Sequence, residues 1–302
     1  MRIEMSDPVR STRRSFLAAG AGLISAAALR GEPNQKFPTD PRARVAVASY
    51  PFREFVNKPG GVDLLDFAQM VVDRYNIHNI EPLSDHFKST DAVYLTQLRK
   101  RVEKAGSHVI NVPCDVQPSL GAPDEAGQKA IAVAKKWVDV AVELNSPGIR
   151  THIEAVNGQQ PDVNRTADQL NAVVDYASFK GVVVNLENDD PKSEAPAFIL
   201  QILKKLDNPY ARSLPDFCNS RLIGDDQFNY DALASLFPYA YNISHVKDSE
   251  SDEGKWYRTD PAKIFAIARN AKYRGYFSME FEGQGDPYSG TQKLIDQSIK
   301  EM

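Results

Sequence analysis

Residues 181–189, GVVVNLEND, form a short apolar run that closes on an acid, Glu187. A Val-rich run of this length, bounded by Gly and Asp, reads as a strand buried on both faces. The same layout recurs three times downstream. SLPDFCN (213–219) carries Asp216, NISHVKD (242–248) carries His245, and GYFSMEFEG (275–283) carries Glu280. Each polar residue lies at the C-terminal end of its run. Successive ones are 29 to 35 residues apart, the length of one strand-plus-helix unit. In a parallel barrel all strand ends of that type share one rim, so four residues scattered in sequence converge. Three carboxylates and one imidazole are a donor set for one divalent ion, Mn, Mg, Co or Zn. Buried without an ion, the acids would cost on the order of several kcal/mol, since no basic partner for each is visible. The bland alternative is four unrelated strand-end polar residues.

Working outward, further apolar runs occur at Val45–Tyr50, Ile77–Leu83, His108–Asp115 and Gly148–Glu154, which makes eight. Amphipathic patterns fill the gaps. In Glu125–Leu144, Ala126, Ala130, Val133, Trp137, Val140 and Leu144 recur at helical spacing. The pattern from Val93 stops at Gly106, and the one from Asn164 stops at Gly181, both candidate C-caps. Asp260-Pro261 supplies a cap and a first-turn proline before Ile264, Phe265 and Ala268. Eight strand–helix pairs with no tandem strand signal predict an α/β fold, a single-domain (β/α)8 TIM barrel over residues 44–302. An open doubly wound sheet is the rival. It is weakened because Val45–Tyr50 leads into Pro51-Phe52-Arg53-Glu54, with neither GxGxxG nor a Walker sequence.

The N-terminus reads as a targeting segment. Arg13-Arg14-Ser15-Phe16-Leu17 is a twin-arginine signature, followed by an Ala/Gly/Leu-rich stretch too short for a spanning helix. Residues 1–30 are therefore expected to be a signal peptide for the twin-arginine export machinery, with cleavage near Ala26-Ala27-Ala28. Residues 31–43 are polar and Pro-rich, and read as a linker. The mature protein is expected in the periplasm or secreted, with no membrane attachment after cleavage. That route carries folded proteins, which agrees with a metal loaded before export. The formal charge is −4, and the first 30 residues carry five Arg against Glu4 and Asp7, which leaves −7 for the remainder. With no basic stripe, nucleic acid is a poor partner. Cys114 and Cys218 make neither a zinc spacing nor a disulfide framework, and read as small buried thiols.

These runs resemble the sugar phosphate isomerase/epimerase family, the xylose isomerase-like TIM barrels. SHVKD and the terminal GYFSMEFEG carry the resemblance most specifically. It implies that Glu187, Asp216, His245 and Glu280 bind one divalent metal, and that Glu187 and Glu280 act as the acid/base pair. Phe217-Cys218-Asn219 stands where such proteins often place a glycine after the metal-binding Asp. Lys255-Trp256-Tyr257-Arg258 stands where they often carry a Gly-x-Gly turn. Loops set the pocket, so these departures bear on substrate rather than on metal.

The chemistry follows from the residue types. A metal with open positions acidifies the C–H beside a carbonyl, a carboxylate removes that proton, and a second on the opposite face returns it. The expected activity is sugar isomerisation or epimerisation through an enediolate, on an unphosphorylated sugar, keto-sugar or inositol-like compound, because free phosphosugars are mainly cytoplasmic. A lyase eliminating from 3-keto-glycosides shares the same base and metal. A non-catalytic sugar-binding protein is the bland class. An endonuclease IV-like phosphoesterase needs more histidines than the five present and a basic face. Lys247, Glu81 and His152 are candidate substrate-binding residues. Asp248 is a candidate to orient the imidazole of His245, and Glu282 is the rival of Glu280 for the metal. Tyr50, Phe52 and Trp256 can form an apolar wall for a sugar ring.

Overall fold

Valine and alanine alone make up Val45–Ala48 (β1), and all four side chains are buried, as a strand covered on both faces requires. The computed structural model describes residues 31–115, 118–153 and 162–302. The expected signal peptide and Glu154 lie outside the described residues. After β1 come Asn79–Glu81 (β2), His108–Val109 (β3), Val112–Cys114 (β4), Gly148–Thr151 (β5), Val183–Glu187 (β6), Ala211–Leu214 (β7), Ile243–Val246 (β8), Ser249–Asp252 (β9), Lys255–Arg258 (β10) and Tyr276–Met279 (β11).

Two parallel sheets, β3-β2-β1-β11-β8 and β4-β5-β6-β7, make one ring. On one side they are joined by the chain itself, because β3 and β4 are halves of a single run interrupted at Ile110 and Asn111. On the other side β7 and β8 are stitched by the bridges Ser213↔Ala240 and Asp216↔His245. The result is the predicted (β/α)8 barrel.

Among the described residues eight α-helices surround the ring: Leu64–Tyr75 (α1), Ala92–Lys104 (α2), Asp124–Glu143 (α3), Val163–Phe179 (α4), Pro196–Leu206 (α5), Asp226–Leu236 (α6), Pro261–Asn270 (α7) and Pro287–Glu301 (α8). Aspartates cap α1, α2, α4, α6, α7 and α8, each carboxylate accepting an N–H of the first turn. Each cap contributes about 1 kcal/mol. It also fixes where the helix starts, and hence how much loop stands above each strand. Gly106 and Gly181, at φ +64° and +73°, follow α2 and α4 where the sequence places them.

Two expectations need correction. The chain does contain a tandem strand pair: β9 and β10 form an antiparallel hairpin after β8, turning at Glu253 and Gly254, both with positive φ. Two positive φ values in a two-residue loop match the twist of a hairpin, but Glu-Gly between polar strands lacks the usual Asn-Gly signal. Residues 33–43 are also not a free linker. The Tyr241 hydroxyl accepts the Gln35 N–H at 2.8 Å and donates to the Pro33 carbonyl at 2.6 Å. The Phe37 ring meets Tyr241 and Tyr276 edge-on at 5.3 and 5.8 Å. One aromatic anchor, masked by a polar composition, holds this segment at the barrel end where the strands begin. Among the described residues no helix is long and apolar enough to cross a membrane.

Candidate active site

Glu187 is the last residue of β6, His245 lies within β8, Glu280 follows β11, and Asp216 stands two residues beyond β7. All four are buried, and one oxygen or nitrogen from each lies within 4.8 Å of the others. The bridge between Asp216 and His245 places two of them side by side. Phe217 is fully buried and packs edge-on against Phe265 at 5.2 Å, which fixes the chain just after Asp216. His245 Nδ1 faces Glu187 Oε1 at 2.6 Å and Glu280 Oε2 at 3.1 Å. Asp216 Oδ1 accepts the N–H groups of Cys218 and Asn219, at 2.8 and 2.7 Å. Its other oxygen, Oδ2, is buried with no hydrogen-bond partner, and the nearest cation is Lys247 Nζ at 3.5 Å.

The residues present fit a divalent ion. An orphaned carboxylate oxygen points into the cluster, and the donors are three oxygens and one nitrogen of intermediate hardness. Without an ion, protons must do its work. Burial is the largest single influence on His245 and opposes its charge, but Glu187, Glu280 and Glu81 outweigh it and hold the imidazole well above its ordinary value. Burial, aided by Glu187 and Glu280 against Lys247, raises Asp216. Against burial, His245 and Lys247 lower Glu280.

A cavity of about 230 Å³ opens over the cluster. Its walls are Tyr50, Asp115, Arg150, Glu187, Asp189, Asn219, Leu222, Lys247, Glu250, Glu280 and Glu282. Six carboxylates thus face two cations. A larger hollow of about 530 Å³ lies where the strands begin, lined by His108, Tyr210, Tyr241 and Tyr276 among others. It holds no comparable acid–histidine cluster, so size does not locate the chemistry.

Lys247 is on the cavity wall yet almost fully buried. Its Nζ donates to Asn219 Oδ1 at 2.9 Å, to Glu250 at 3.0 Å and to Glu282, and lies 3.6 Å from Glu280. Glu282 is therefore engaged by Lys247 and stands outside the four-residue cluster. Three other sequence candidates fall elsewhere. Glu81, fully buried, lies behind His245 and does not line the cavity: His245 Nε2 is 3.1 Å from both of its oxygens. Asp248 accepts from Ser249 Oγ at 2.9 Å, so the far side of the imidazole faces Glu81 instead. His152 does not line the cavity and has Glu194 at 3.0 Å from Nδ1 and Asp115 at 3.0 Å from Nε2; with Asp189 and Glu194 it forms a second acid–histidine group. Burial and Arg150 oppose its charge, but Glu194 and Asp115 carry it up to about 10. Of the expected aromatic wall only Tyr50 lines the cavity. Phe52 is core, and Trp256 stands half-exposed on the hairpin.

The sequence reading missed Arg150, Asp115, Asp189 and Asn219. Arg150 Nε is 3.1 Å from Glu187 Oε2, and its Nη1 pairs with Asp115. The available signal was an arginine inside the otherwise apolar run GIRT, which demands a buried acid.

A model of the xylose isomerase-like TIM barrel family matches residues 66–301. The chain belongs to this family. No curated protein matches it in sequence. Among solved structures, the D-allulose 3-epimerase of Methylomonas sp. in complex with D-allulose superposes with a TM-score of 0.69 at 13% identity, covering 89% of this chain and 99% of that one. A xylose isomerase-like TIM barrel protein of Mycobacterium smegmatis in complex with magnesium gives 0.66 at 17%, covering 85% and 96%. The 3-keto-D-glucoside 4-epimerase of E. coli gives 0.64 at 14%, covering 85% and 99%. At these identities the likeness is one of fold, and this chain carries an acid–histidine cluster at the barrel rim.

Proposed function

We propose that this barrel is a divalent-metal-dependent isomerase or epimerase of an unphosphorylated sugar or keto-sugar. One observation carries the reading: Glu187 and Glu280 reach the same imidazole nitrogen from β6 and from the end of β11, and both line one small cavity. Glu187, Asp216, His245 and Glu280 would hold the ion. When bound, it would polarise a carbonyl and its neighbouring hydroxyl. Glu187 and Glu280 approach from different strands, so one removes the proton beside the carbonyl and the other returns it from the opposite side. Lys247 and Asn219 line the cavity, and in this reading they bind a sugar oxygen, which would replace one of the carboxylates now held by Lys247. The excess of carboxylates on the walls argues against a phosphorylated substrate and for a neutral polyol. Methylomonas and E. coli structures of the same fold, named as sugar epimerases, support the class. Mn, Mg, Co and Zn all suit the donors.

A second reading is a lyase that expels a group from the next carbon of a 3-keto-glycoside. The Tyr50 phenol favours it: it stands on the cavity wall, where its O–H can donate to a leaving group. We also propose that residues 1–30 direct twin-arginine export, which would place the enzyme among free rather than phosphorylated sugars.

The test is proton NMR in D2O of the metal-loaded protein across free sugars, keto-sugars and inosose. Solvent deuterium entering at carbon, with a new epimer or isomer, is the expected result, and an unsaturated product selects the lyase. Binding without exchange would leave a sugar-binding protein.

A further inference from the structure

We infer that Glu81 is a positioning residue for the metal centre: it holds the His245 imidazole so that Nδ1, not Nε2, is offered to the ion. This rests on the metal-binding part of the proposed function. Both Glu81 oxygens lie 3.1 Å from Nε2, on the face of the ring opposite Glu187 and Glu280. Glu81 and His245 are fully buried, so no water competes for either. The carboxylate is itself fixed. Asn111 Nδ2 donates to Glu81 Oε1 at 2.8 Å, and Asn111 Oδ1 accepts from Asn185 at 3.2 Å. Asn111 sits at the interruption between β3 and β4, facing the barrel axis. Gly148 allows that approach: a Cβ there would lie 3.0 Å from Asn111 Oδ1 and 2.6 Å from the Asn242 amide.

An imidazole bound to a metal through one nitrogen carries its proton on the other, and a carboxylate accepting that proton fixes tautomer and ring angle. The chain Asn185–Asn111–Glu81–His245 supplies such an acceptor from β2, a strand that contributes no residue to the four-residue cluster. A Gln at position 81 serves the two neighbours less well. Asn111 and His245 each present an N–H toward the carboxylate; the amide lacks the negative charge that favours the Nε2–H form and replaces one acceptor oxygen by an NH2 donor.

The experiment is titration calorimetry with Mn²⁺ and Zn²⁺ alone, on the wild-type protein and on Glu81→Gln, Glu81→Asp and Asn111→Ala, without substrate. Losing such a partner typically weakens metal binding about 10- to 100-fold, and that range is expected for Glu81→Gln. A smaller loss is expected for Asn111→Ala and partial recovery for Glu81→Asp. A second readout needs no variant. The ¹⁵N spectrum of Zn²⁺-loaded wild type should show His245 protonated at Nε2. Wild-type affinity in a folded Glu81→Gln protein, or a proton on Nδ1 in the loaded wild type, overturns the role of Glu81. A wild type that takes up neither ion overturns the metal reading with it.

Discussion

Asp216 ties one carboxylate oxygen to two backbone amides and leaves the other buried without a hydrogen-bond partner, 3.5 Å from Lys247. That asymmetry separates residues that hold an ion from residues that move a proton. Asp216→Ala and His245→Ala should lower metal affinity and turnover together. Glu187→Gln and Glu280→Gln keep an oxygen for the ion and lose the base, so weakened metal binding should persist while turnover falls about 10²-fold or more. Parallel calorimetry and kinetics distinguish the two classes, and full turnover in both Gln variants would reject the acid/base pair. The raised imidazole gives a pH dependence. With no ion bound His245 keeps its proton above the ordinary histidine range, whereas a bound imidazole is neutral. Metal uptake must then expel at least one proton, and apparent affinity should climb about tenfold per pH unit until the imidazole titrates. Calorimetry in buffers of different ionisation enthalpy counts that proton directly.

Among the elements, strands that end on a single polar residue were legible because apolar run and acid stand adjacent in sequence. The cavity walls were not. Asn219 reaches Lys247 across 28 residues, because the turn after β7 is capped by Asp216. Glu250 is only three residues from Lys247, but a charged pair at that spacing does not reveal that it lines a cavity. Glu81 was legible as a strand-end acid but not as the partner of an imidazole 164 residues away. The hairpin offers a test of its own. Gly254 has φ +81°, so Gly254→Val should strain the turn by about 1 kcal/mol or more. We expect it to loosen Glu250 from Lys247, raising KM while leaving metal affinity intact. A variant with unchanged KM would show that the hairpin is not part of the pocket.

At the scale of the molecule, the barrel keeps its two ends distinct. Acids and histidine gather where strands finish, while Pro33–Phe37 covers the end where they start. Because that cover begins just after the expected leader, cleavage near residue 30 should leave the barrel whole. Arg13→Lys combined with Arg14→Lys should leave folded, metal-competent protein in the cytoplasm, and cell fractionation checks this. Metal at 100 times its Kd should stabilise the protein by about 2.7 kcal/mol, read as a rise in Tm that a chelator reverses.

The Asp216↔His245 bridge has a kinetic meaning too. Like the last stave set into a cask, the pairing of β7 with β8 joins the two sheets and converts an open ribbon into a ring. His245 N–H bonds to the Pro215 carbonyl at 3.1 Å, and Phe217 N–H to the His245 carbonyl at 3.2 Å. Any breathing that parts this seam also parts two of the four groups that would grip the ion. A bound ion is therefore a latch on the joint, and the amides of Phe217 and His245 should exchange with deuterium far more slowly in the loaded protein. Amides of the helices α1 and α2, on the outside of the barrel, should gain much less.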